Sequence, residues 1–383
     1  NPLIIERILD IRDHPPEHLQ RTPGPRAIRY YLERDPTLRA ASLRLPRSTR
    51  TIWQILRAYD RIALPPLRQH VPVERPDPMT SWELDFQDVS TIPAEADGKQ
   101  QHVVEVLNTI DVGTSILVDS VVRPDFTAET TIQTVVETFR TQGLPQCVTI
   151  DRDPRFVGSP QGRDFPAPFV RMLHCLGVQV TVCAPRRPQQ KGFVERYNRT
   201  FKEEGVQREQ PRDLGAAREL TENFRQHYNY ERPNQAITCH NQPPRVAFPA
   251  LPLPRQLPAT VDPERWLEVL DGQRYVRKVR ANGTITVDER DYYIGSAWAG
   301  KYVSVRLSAT ERSFQIEYRE QMVKRLPIKG LIGERLPLDV YLNQMVCEAR
   351  HQTLIGRPIG HQLRLPLEML ATAPTGAATM SKN

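Results

Sequence analysis

Three acidic residues stand at positions where packing alone does not explain a carboxylate. Asp85 lies in the middle of the alternating stretch WELDFQDVS, and Asp151 ends the short apolar run CVTID. Glu195 lies in CAPRRPQQKGFVERYNRTFKE, among lysines and arginines. A buried carboxylate is costly unless a positive group meets it, and hard divalent cations prefer oxygen ligands. Three carboxylates at one point would suit two Mg²⁺ or Mn²⁺ ions, a pair that can clamp a phosphodiester.

The residues around Glu195 are spaced as a helix with two faces. Its apolar stripe is expected to pack on a sheet and consists of Val194, Tyr197 and Phe201. The neighbouring face carries Lys191, Glu195, Asn198 and Lys202. A solvated helix face with i, i+4 ion pairs is the alternative interpretation. The cations outnumber what one Glu needs, so we interpret them as contacts for a nucleic-acid backbone beside a metal site.

Other residues compete for these roles. Asp153 is a rival of Asp151, which we prefer because it completes the strand. Asp88 and Asp111 are weaker rivals, expected at a strand edge and in a turn. Lone histidines are more often structural or surface residues than catalytic bases, and we interpret three in this way: His174, His227 and His240.

Three motifs in order resemble one family. They are W-x-x-D-F at 82–86, T-I-D at 149–151 and P-x-x-K-G-x-x-E-R-x-N at 188–198. The combination resembles the catalytic core of DDE transposases and integrases, of the retroviral integrase superfamily with an RNase H-like fold. More narrowly, it resembles bacterial insertion-sequence transposases with an integrase-type core. The resemblance covers roughly 78–235.

The resemblance implies a metal-binding triad of Asp85, Asp151 and Glu195, with Gln190 and Lys191 beside a DNA end. It implies metal-dependent cleavage that frees a 3′-OH, then attack of that 3′-OH on target DNA. The partners implied are double-stranded DNA of the transposon ends and target, further copies of the chain on DNA, and an accessory ATPase in some cases. The segment 152–194 is longer than is usual in the family, and 158–168 is interpreted as an insertion.

The elements that must position these residues follow from periodicity. Between two proline-rich stretches the predicted order is strand, strand, strand, helix, strand, helix, strand, helix. This order predicts a mixed five-stranded α/β sheet with helices. The whole chain is then predicted as a multidomain protein: a helix-turn-helix domain at 1–64, a linker at 65–80, the RNase H-like catalytic core at 81–242, a Pro-rich linker at 243–263, a small β-barrel at 264–330, and a C-terminal helix and tail at 331–383.

Charge supports a polyanionic partner. The chain carries a net charge of +7 with a pI near 9.2, and arginines and lysines concentrate at both ends. The side chains expected to contact DNA are Arg47, Arg50, Thr51, Gln54 and Arg57 near the third predicted helix, Gln190, Lys191, Arg196, Asn198, Arg199 and Lys202 in the core, and Arg277, Lys278 and Arg280 in the barrel. An ordinary exposed helix face and a plain basic sheet face are the respective alternatives.

Composition excludes several other classes. The five cysteines contain no C-x-x-C pair, which argues against a disulfide framework and a cysteine-rich zinc site. No signal peptide and no long apolar stretch is found, so a cytoplasmic protein without a membrane segment is expected. The resemblance implies that this protein is bacterial and nucleoid-associated. Since the first residue is not Met, a missing N-terminal segment is left open.

Two alternatives to an active transposase are kept. One is a catalytically inactive, domesticated DNA-binding protein, against which the intact set of acids argues. The other is an RNase H-like nuclease that only hydrolyses, which the flanking basic modules disfavour.

Overall fold

A computed structural model gives the architecture. It describes residues 1–16, 19, 21–41, 43–62, 74–89, 104–158, 164–184 and 188–355. Most of the linker predicted at 65–80, the middle of the insertion predicted near 158–168, and the tail from residue 356 onward lie outside the described residues.

Four helices form the N-terminal part, one more than the sequence predicted. They are α1 (Pro2–Asp13), α2 (Pro25–Leu32), α3 (Pro36–Ala40) and α4 (Thr49–Ala58). The additional helix, α3, is short and starts because the Asp35 carboxylate accepts hydrogen bonds from the N–H groups of Thr37 and Leu38. The N-cap of α4 is Ser48, whose hydroxyl accepts a bond from the Thr51 N–H at 3.4 Å, as expected of a serine directly before a helix.

The N-terminal helices have a hydrophobic core of their own. One apolar stripe of each helix faces the same interior, which excludes water from these side chains. Its buried members are Ile4, Ile8, Ile11, Ile28, Leu32, Leu38, Ile52 and Leu56.

A five-stranded sheet forms the centre of the molecule. Its strands are β1 (Ser81–Asp88), β2 (Glu105–Asp111), β3 (Leu117–Arg123), β4 (Cys147–Ile150) and β5 (Gln179–Val182). The strand order is β3-β2-β1-β4-β5. The three strands β1, β2 and β3 pair antiparallel, whereas β1, β4 and β5 pair parallel. The predicted mixed five-stranded sheet is therefore confirmed.

Helices cover both faces of this sheet. They are α5 (Ala128–Gln142), α6 (Pro154–Val157), α7 (Pro168–Cys175), α8 (Gly192–Phe201), α9 (Gln207–Glu209), α10 (Leu214–Gln226) and α11 (Pro244–Ala247). Trp82 and Leu84 of β1 lie in the hydrophobic cluster that contains α5 and α7. On the opposite face, Val194, Tyr197 and Phe201 of α8 pack with apolar residues of β2 and β3, as their spacing predicted.

The C-terminal strands differ from the predicted barrel. They are β6 (Thr260–Val261), β7 (Arg274–Lys278), β8 (Thr284–Val287), β9 (Arg290–Tyr293), β10 (Tyr302–Ser308), β11 (Ser313–Tyr318), β12 (Gln321–Pro327) and β13 (Leu336–Pro337). Within the described chain they form a four-stranded sheet β12-β11-β10-β7 and separate pairs β8-β9 and β13-β6, so the sheets do not close. Asn282-Gly283 forms a turn between β7 and β8, with Gly283 at φ +76°, but β7 pairs with β10 rather than with β8.

The last helix, α12 (Leu338–Ile355), packs on α5 and α7. Its buried Tyr341, Leu342 and Met345 belong to the same cluster as Trp82, so the central and C-terminal sheets share one apolar core. Arg350 forms an ion pair with Glu129 of α5. Among the residues described, none of the helices has the length and apolar character needed to cross a membrane.

Candidate active site

The start of α8 is tied to β1 by a buried carboxylate. Glu83 is only 3% exposed, and its Oε2 atom accepts hydrogen bonds from the N–H groups of Phe193 at 2.9 Å and Val194 at 2.8 Å. These N–H groups belong to the first turn of a helix and have no partner within the helix itself. Glu83 therefore fixes the end of α8 that carries Glu195.

Asp85 and Asp151 meet at the ammonium group of Lys191. Lys191 Nζ donates to Asp85 Oδ1 at 2.5 Å and to Asp151 Oδ2 at 3.0 Å. The sheet explains this meeting, because β1 and β4 are parallel neighbours and Asp151 directly follows β4. Lys191 comes from the turn before α8 and is 4% exposed. The structure thus brings two of the three predicted acids to one cation.

A chain of polar side chains lies behind Asp85. Its second oxygen, Oδ2, accepts a hydrogen bond from Asn198 Nδ2 at 2.7 Å. Asn198 Oδ1 in turn accepts from Asn108 Nδ2 at 2.8 Å, and Asn108 Oδ1 accepts from the Ser120 hydroxyl at 2.5 Å. Gln87 Nε2 donates to the backbone carbonyl of Asn198 at 3.0 Å. Both carboxylate oxygens of Asp85 are therefore held by named donors.

Burial and repulsion between acidic groups raise the pKa values of three carboxyl groups: Glu83, Asp85 and Glu195. Desolvation raises the pKa of Glu83 to about 7, although the two backbone N–H groups act to lower it. The Asp85 pKa is raised by desolvation and by Asp151, against the lowering effect of Lys191. The Glu195 pKa is raised by desolvation and by Asp85. Burial acts to lower the Lys191 pKa, but Asp85 and Asp151 outweigh it, so this lysine stays charged.

The arrangement fits a cation-binding role. In the described part of the chain, no three His, Cys, Asp or Glu side chains stand close enough together to hold a metal as they are. By this measure Asp85, Asp151 and Glu195 do not yet form a three-ligand cluster. The Lys191 ammonium lies between two of these carboxylates, Asp85 and Asp151, as a cation would. Oxygen donors around a bound cation are the set that Mg²⁺ and Mn²⁺ prefer.

The rival residues have other partners. Asp153 caps α6 through the Arg155 N–H and forms an ion pair with the Arg155 guanidinium at 2.7 Å. Asp111 is buried and accepts from the Thr114 N–H and hydroxyl in a turn. His227 lies beside Glu231 at 3.1 Å.

The residues predicted to contact DNA fall into two groups. Those exposed to solvent are Arg47, Arg50, Thr51, Gln54, Arg57, Gln190, Arg196, Arg199, Lys202, Lys278 and Arg280. Three others are less exposed and have partners within the protein, while their contact with DNA stays a prediction: Lys191, Asn198 and Arg277. Lys191 and Asn198 hold Asp85 as described above. Arg277 forms an ion pair with Asp164 and donates to the Thr286 carbonyl at 2.9 Å.

Three residues of the site were not predicted from the sequence: Glu83, Gln87 and Asn108. The first two had a signal in the sequence. Glu83 and Gln87 alternate with Trp82, Leu84 and Phe86, so they share the face of Asp85. The role of Asn108 depends on the register of β1 and β2, which places it opposite Asp85.

Comparison with known proteins adds a family match. Residues 176–244 match the protein family described as integrase core domain, and this range contains Lys191 and Glu195. A 39.2 kDa uncharacterized protein of insertion element IS476 from Xanthomonas euvesicatoria is 23% identical over 167 residues, 44% of this chain and 43% of the relative. A 31.7 kDa uncharacterized protein of insertion element IS407 from Burkholderia multivorans is 25% identical over 176 residues, 44% of this chain and 58% of the relative.

The chain spans about half the length of the curated relatives it matches. The family match and these relatives confirm the resemblance to integrase-core transposases that the motifs predicted. Together with the mixed five-stranded sheet, they support an RNase H-like integrase core.

Two solved structures resemble the chain at low TM-scores. A simian T-cell lymphotropic virus intasome, in complex with PP2A regulatory subunit B56 gamma, has a TM-score of 0.36 and 13% identity, covering 80% of this chain and 97% of that chain. The HTLV-2 integrase catalytic core domain in complex with magnesium has a TM-score of 0.34 and 12% identity, covering 45% of this chain and 99% of that chain.

Proposed function

We propose that this protein is a DNA transposase that cleaves the 3′ ends of a mobile DNA element and joins them to target DNA. The observation that carries the proposal is the meeting of Asp85 and Asp151 on one ammonium nitrogen, at 2.5 and 3.0 Å, beside the helix that holds Glu195. Two carboxylates gathered around a cation at the end of parallel strands are suited to metal-assisted phosphodiester chemistry.

The ligands of the divalent ions would be Asp85, Asp151 and Glu195. When bound, such ions lower the pKa of an attacking hydroxyl and stabilise a leaving oxygen. The protein's own residues orient this set: Asn198 holds Asp85 at 2.7 Å, and Glu83 holds the start of α8. We assign two ions, Mg²⁺ or Mn²⁺, to the site.

The reaction consists of two balanced exchanges at phosphorus. In the first, water attacks a phosphodiester at the element's end; a P–O bond to water forms, the P–O3′ bond breaks, and a 3′-OH and a 5′-phosphate result. In the second, that 3′-OH attacks a target phosphodiester, forms a new P–O bond and releases a target 3′-OH. Arg196, Arg199 and Lys202 are exposed on α8 and just after it, where cations can hold the DNA backbone.

The flanking parts are assigned to DNA binding. We assign the helices α1–α4 to a helix-turn-helix domain in which the exposed Arg50, Thr51 and Gln54 of α4 approach base edges. Arg47 and Arg57 then contact phosphates. Lys278 and Arg280 supply further contacts from the C-terminal sheets. Because two ends must be joined together, several copies of the chain are expected on DNA, with an ATPase as a candidate accessory partner.

The test is a strand-transfer assay with labelled end DNA, plasmid target and Mg²⁺. Asp151→Asn should abolish both cleavage and joining while binding of end DNA survives, because the substitution removes a ligand and leaves the basic surfaces intact. Asp153→Asn is the matched control, since Asp153 already pairs with Arg155, and it should keep most of the activity.

Three other outcomes of the strand-transfer assay would contradict the proposal. Joined product from Asp151→Asn would rule out the assignment of this ligand. Nicked but never joined DNA from the wild-type protein would identify a nuclease that only hydrolyses, and absence of both products would identify an inactive DNA-binding protein.

A further inference from the structure

Lys191 has the environment of a structural counter-ion rather than of a surface lysine. The residue is 4% exposed, and its ammonium has three acceptors within reach: Asp85 Oδ1 at 2.5 Å, Asp151 Oδ2 at 3.0 Å and the Leu84 carbonyl at 3.5 Å. A lysine ammonium has three N–H donors. All three are therefore used inside the protein, and none is left for a DNA phosphate in this conformation.

The same oxygens would be needed by a divalent cation. Like charges repel strongly at a few ångströms inside a protein, because the effective dielectric constant there is well below that of water. An ammonium and a divalent ion cannot both occupy the short space between Asp85 and Asp151. One of them must leave before the other binds.

The orientation of the Asp85 carboxylate does not depend on Lys191 alone. Its Oδ2 atom is held by Asn198 at 2.7 Å, independently of Lys191. Asn198 is itself fixed by Asn108 at 2.8 Å. The carboxylate therefore keeps its orientation when the bond from its Oδ1 atom to the ammonium is lost.

Lys191 also lies at a point of the backbone from which its side chain can swing away from the carboxylates. It is the last residue of the single 3₁₀ turn Pro188–Lys191 and immediately precedes the first helical residue, Gly192. A Cβ added at Gly192 would meet nothing within 4 Å, so the space beside this point of the backbone is open. The long side chain can leave the carboxylates without unwinding α8.

We propose that Lys191 is a displaceable internal cation: it occupies the metal position of the free protein, and divalent metal expels it. The proposal rests on the proposed function, since it requires that Asp85 and Asp151 are metal ligands. The expelled ammonium becomes available to a phosphate of bound nucleic acid. By reciprocity, DNA that captures Lys191 raises the affinity for metal, and metal raises the affinity for DNA through this residue.

The main experiment measures Mn²⁺ binding to the full chain without DNA, by titration calorimetry. Lys191→Gln should bind Mn²⁺ at least about tenfold more tightly than the wild-type protein, because no cation has to be expelled. Lys301→Gln is the matched control: it removes the same charge from an exposed position directly before β10 and should leave the affinity unchanged. Equal or weaker binding by Lys191→Gln overturns the proposal.

A second measurement needs no substitution and covers the case in which Lys191→Gln does not fold. Reductive methylation of the wild-type protein, followed by mass spectrometry, reports how accessible each lysine is. Lys191 should be protected without metal and become modified when Mn²⁺ is added, whereas the exposed Lys202 should be modified in both samples. Protection of Lys191 that persists at saturating Mn²⁺ overturns the proposal.

A third variant, Asp151→Asn, distinguishes failure of this inference from failure of the proposed function. Asp151→Asn should lose Mn²⁺ binding in the same calorimetric experiment. If Asp151→Asn binds like the wild-type protein, the metal site itself is wrongly placed and the proposed function fails with it. If Asp151→Asn loses binding while Lys191→Gln matches the wild type, only the exchange is refuted.

Discussion

Removal of the Glu83 carboxylate should loosen the start of α8. In Glu83→Ala, the N–H groups of Phe193 and Val194 lose the oxygen that accepts both of them at 2.9 and 2.8 Å. In Glu83→Gln, a single amide oxygen replaces Oε2 and can accept both bonds, since a carbonyl oxygen has two lone pairs. The two variants therefore differ in whether the clamp between β1 and α8 persists.

The magnitude follows from the burial of the clamp. A buried N–H group without a partner costs ~1–3 kcal/mol. Water can enter the space that alanine leaves, so we take the low end, about 2 kcal/mol for the pair of bonds. That free energy corresponds to opening of the first turn that is roughly 30-fold more frequent. Glu83→Gln should open at close to the wild-type frequency at low pH.

Hydrogen–deuterium exchange with mass spectrometry is the appropriate assay, because it reports on one helix of a large chain. The peptide that covers Gly192–Phe201 should exchange faster in Glu83→Ala than in the wild-type protein or Glu83→Gln, without metal present. A peptide from α10, Leu214–Gln226, serves as the internal control and should not change. Unchanged exchange of α8 in Glu83→Ala would refute the clamp.

The wild-type protein and Glu83→Gln together also test the raised pKa of Glu83. Glu83 has a pKa of about 7 when folded, against the ordinary value of 4.5 in an open chain. At pH values between 4.5 and about 7, the Glu83 carboxyl group holds a proton in the folded state but has released it in the open state. The contribution of Glu83 to stability is therefore full below the ordinary pKa and is lost as pH rises to about 7, by about 3 kcal/mol in total.

Relative to Glu83→Gln, which cannot titrate, the wild-type α8 should thus open more readily at about pH 8 than at about pH 5, after correction for intrinsic exchange rates. A difference between the two proteins that does not vary with pH would show that Glu83 ionises normally.

Two further predictions concern regions outside the site. Arg47→Gln combined with Arg57→Gln should reduce the slope of log affinity for duplex DNA against log salt by about 2, because each phosphate contact contributes ~0.9; fluorescence anisotropy at several salt concentrations measures this, and an unchanged slope contradicts phosphate contact by these two arginines. Arg232 and Glu204 form a buried ion pair with two bonds of 2.8 Å. Arg232→Met alone should destabilise the protein by ~3–5 kcal/mol in thermal unfolding, and adding Glu204→Leu should restore most of that loss; a double variant as unstable as the single one contradicts this account.

The sequence predicted the elements whose signal is local. Alternation in β1 placed Asp85 on the face opposite Trp82 and Leu84, and helical spacing placed Val194 and its stripe on the sheet. The N-cap of α4 at Ser48 was predictable for the same reason, since a cap depends on residues three positions apart.

What could not be predicted depends on which distant residues meet. Lys191 was interpreted as a DNA contact because its spacing puts it on a basic helix face, but its long side chain reaches two carboxylates on β1 and after β4. The bond from Asn198 to Asp85 could not be predicted for the same reason. Strand spacing also does not fix which strands pair: in the described residues β7 pairs with β10, whereas β8 pairs with β9 in a separate sheet.

The contact of α12 with α5 and α7 has a consequence for how the protein is made. Because α12 follows the whole C-terminal sheet in the chain, a ribosome completes α5 and α7 long before the helix that covers them. During that interval the nascent chain exposes the apolar surface that Tyr341, Leu342 and Met345 later bury. Chaperone binding or mispairing can occur at this surface until translation reaches α12.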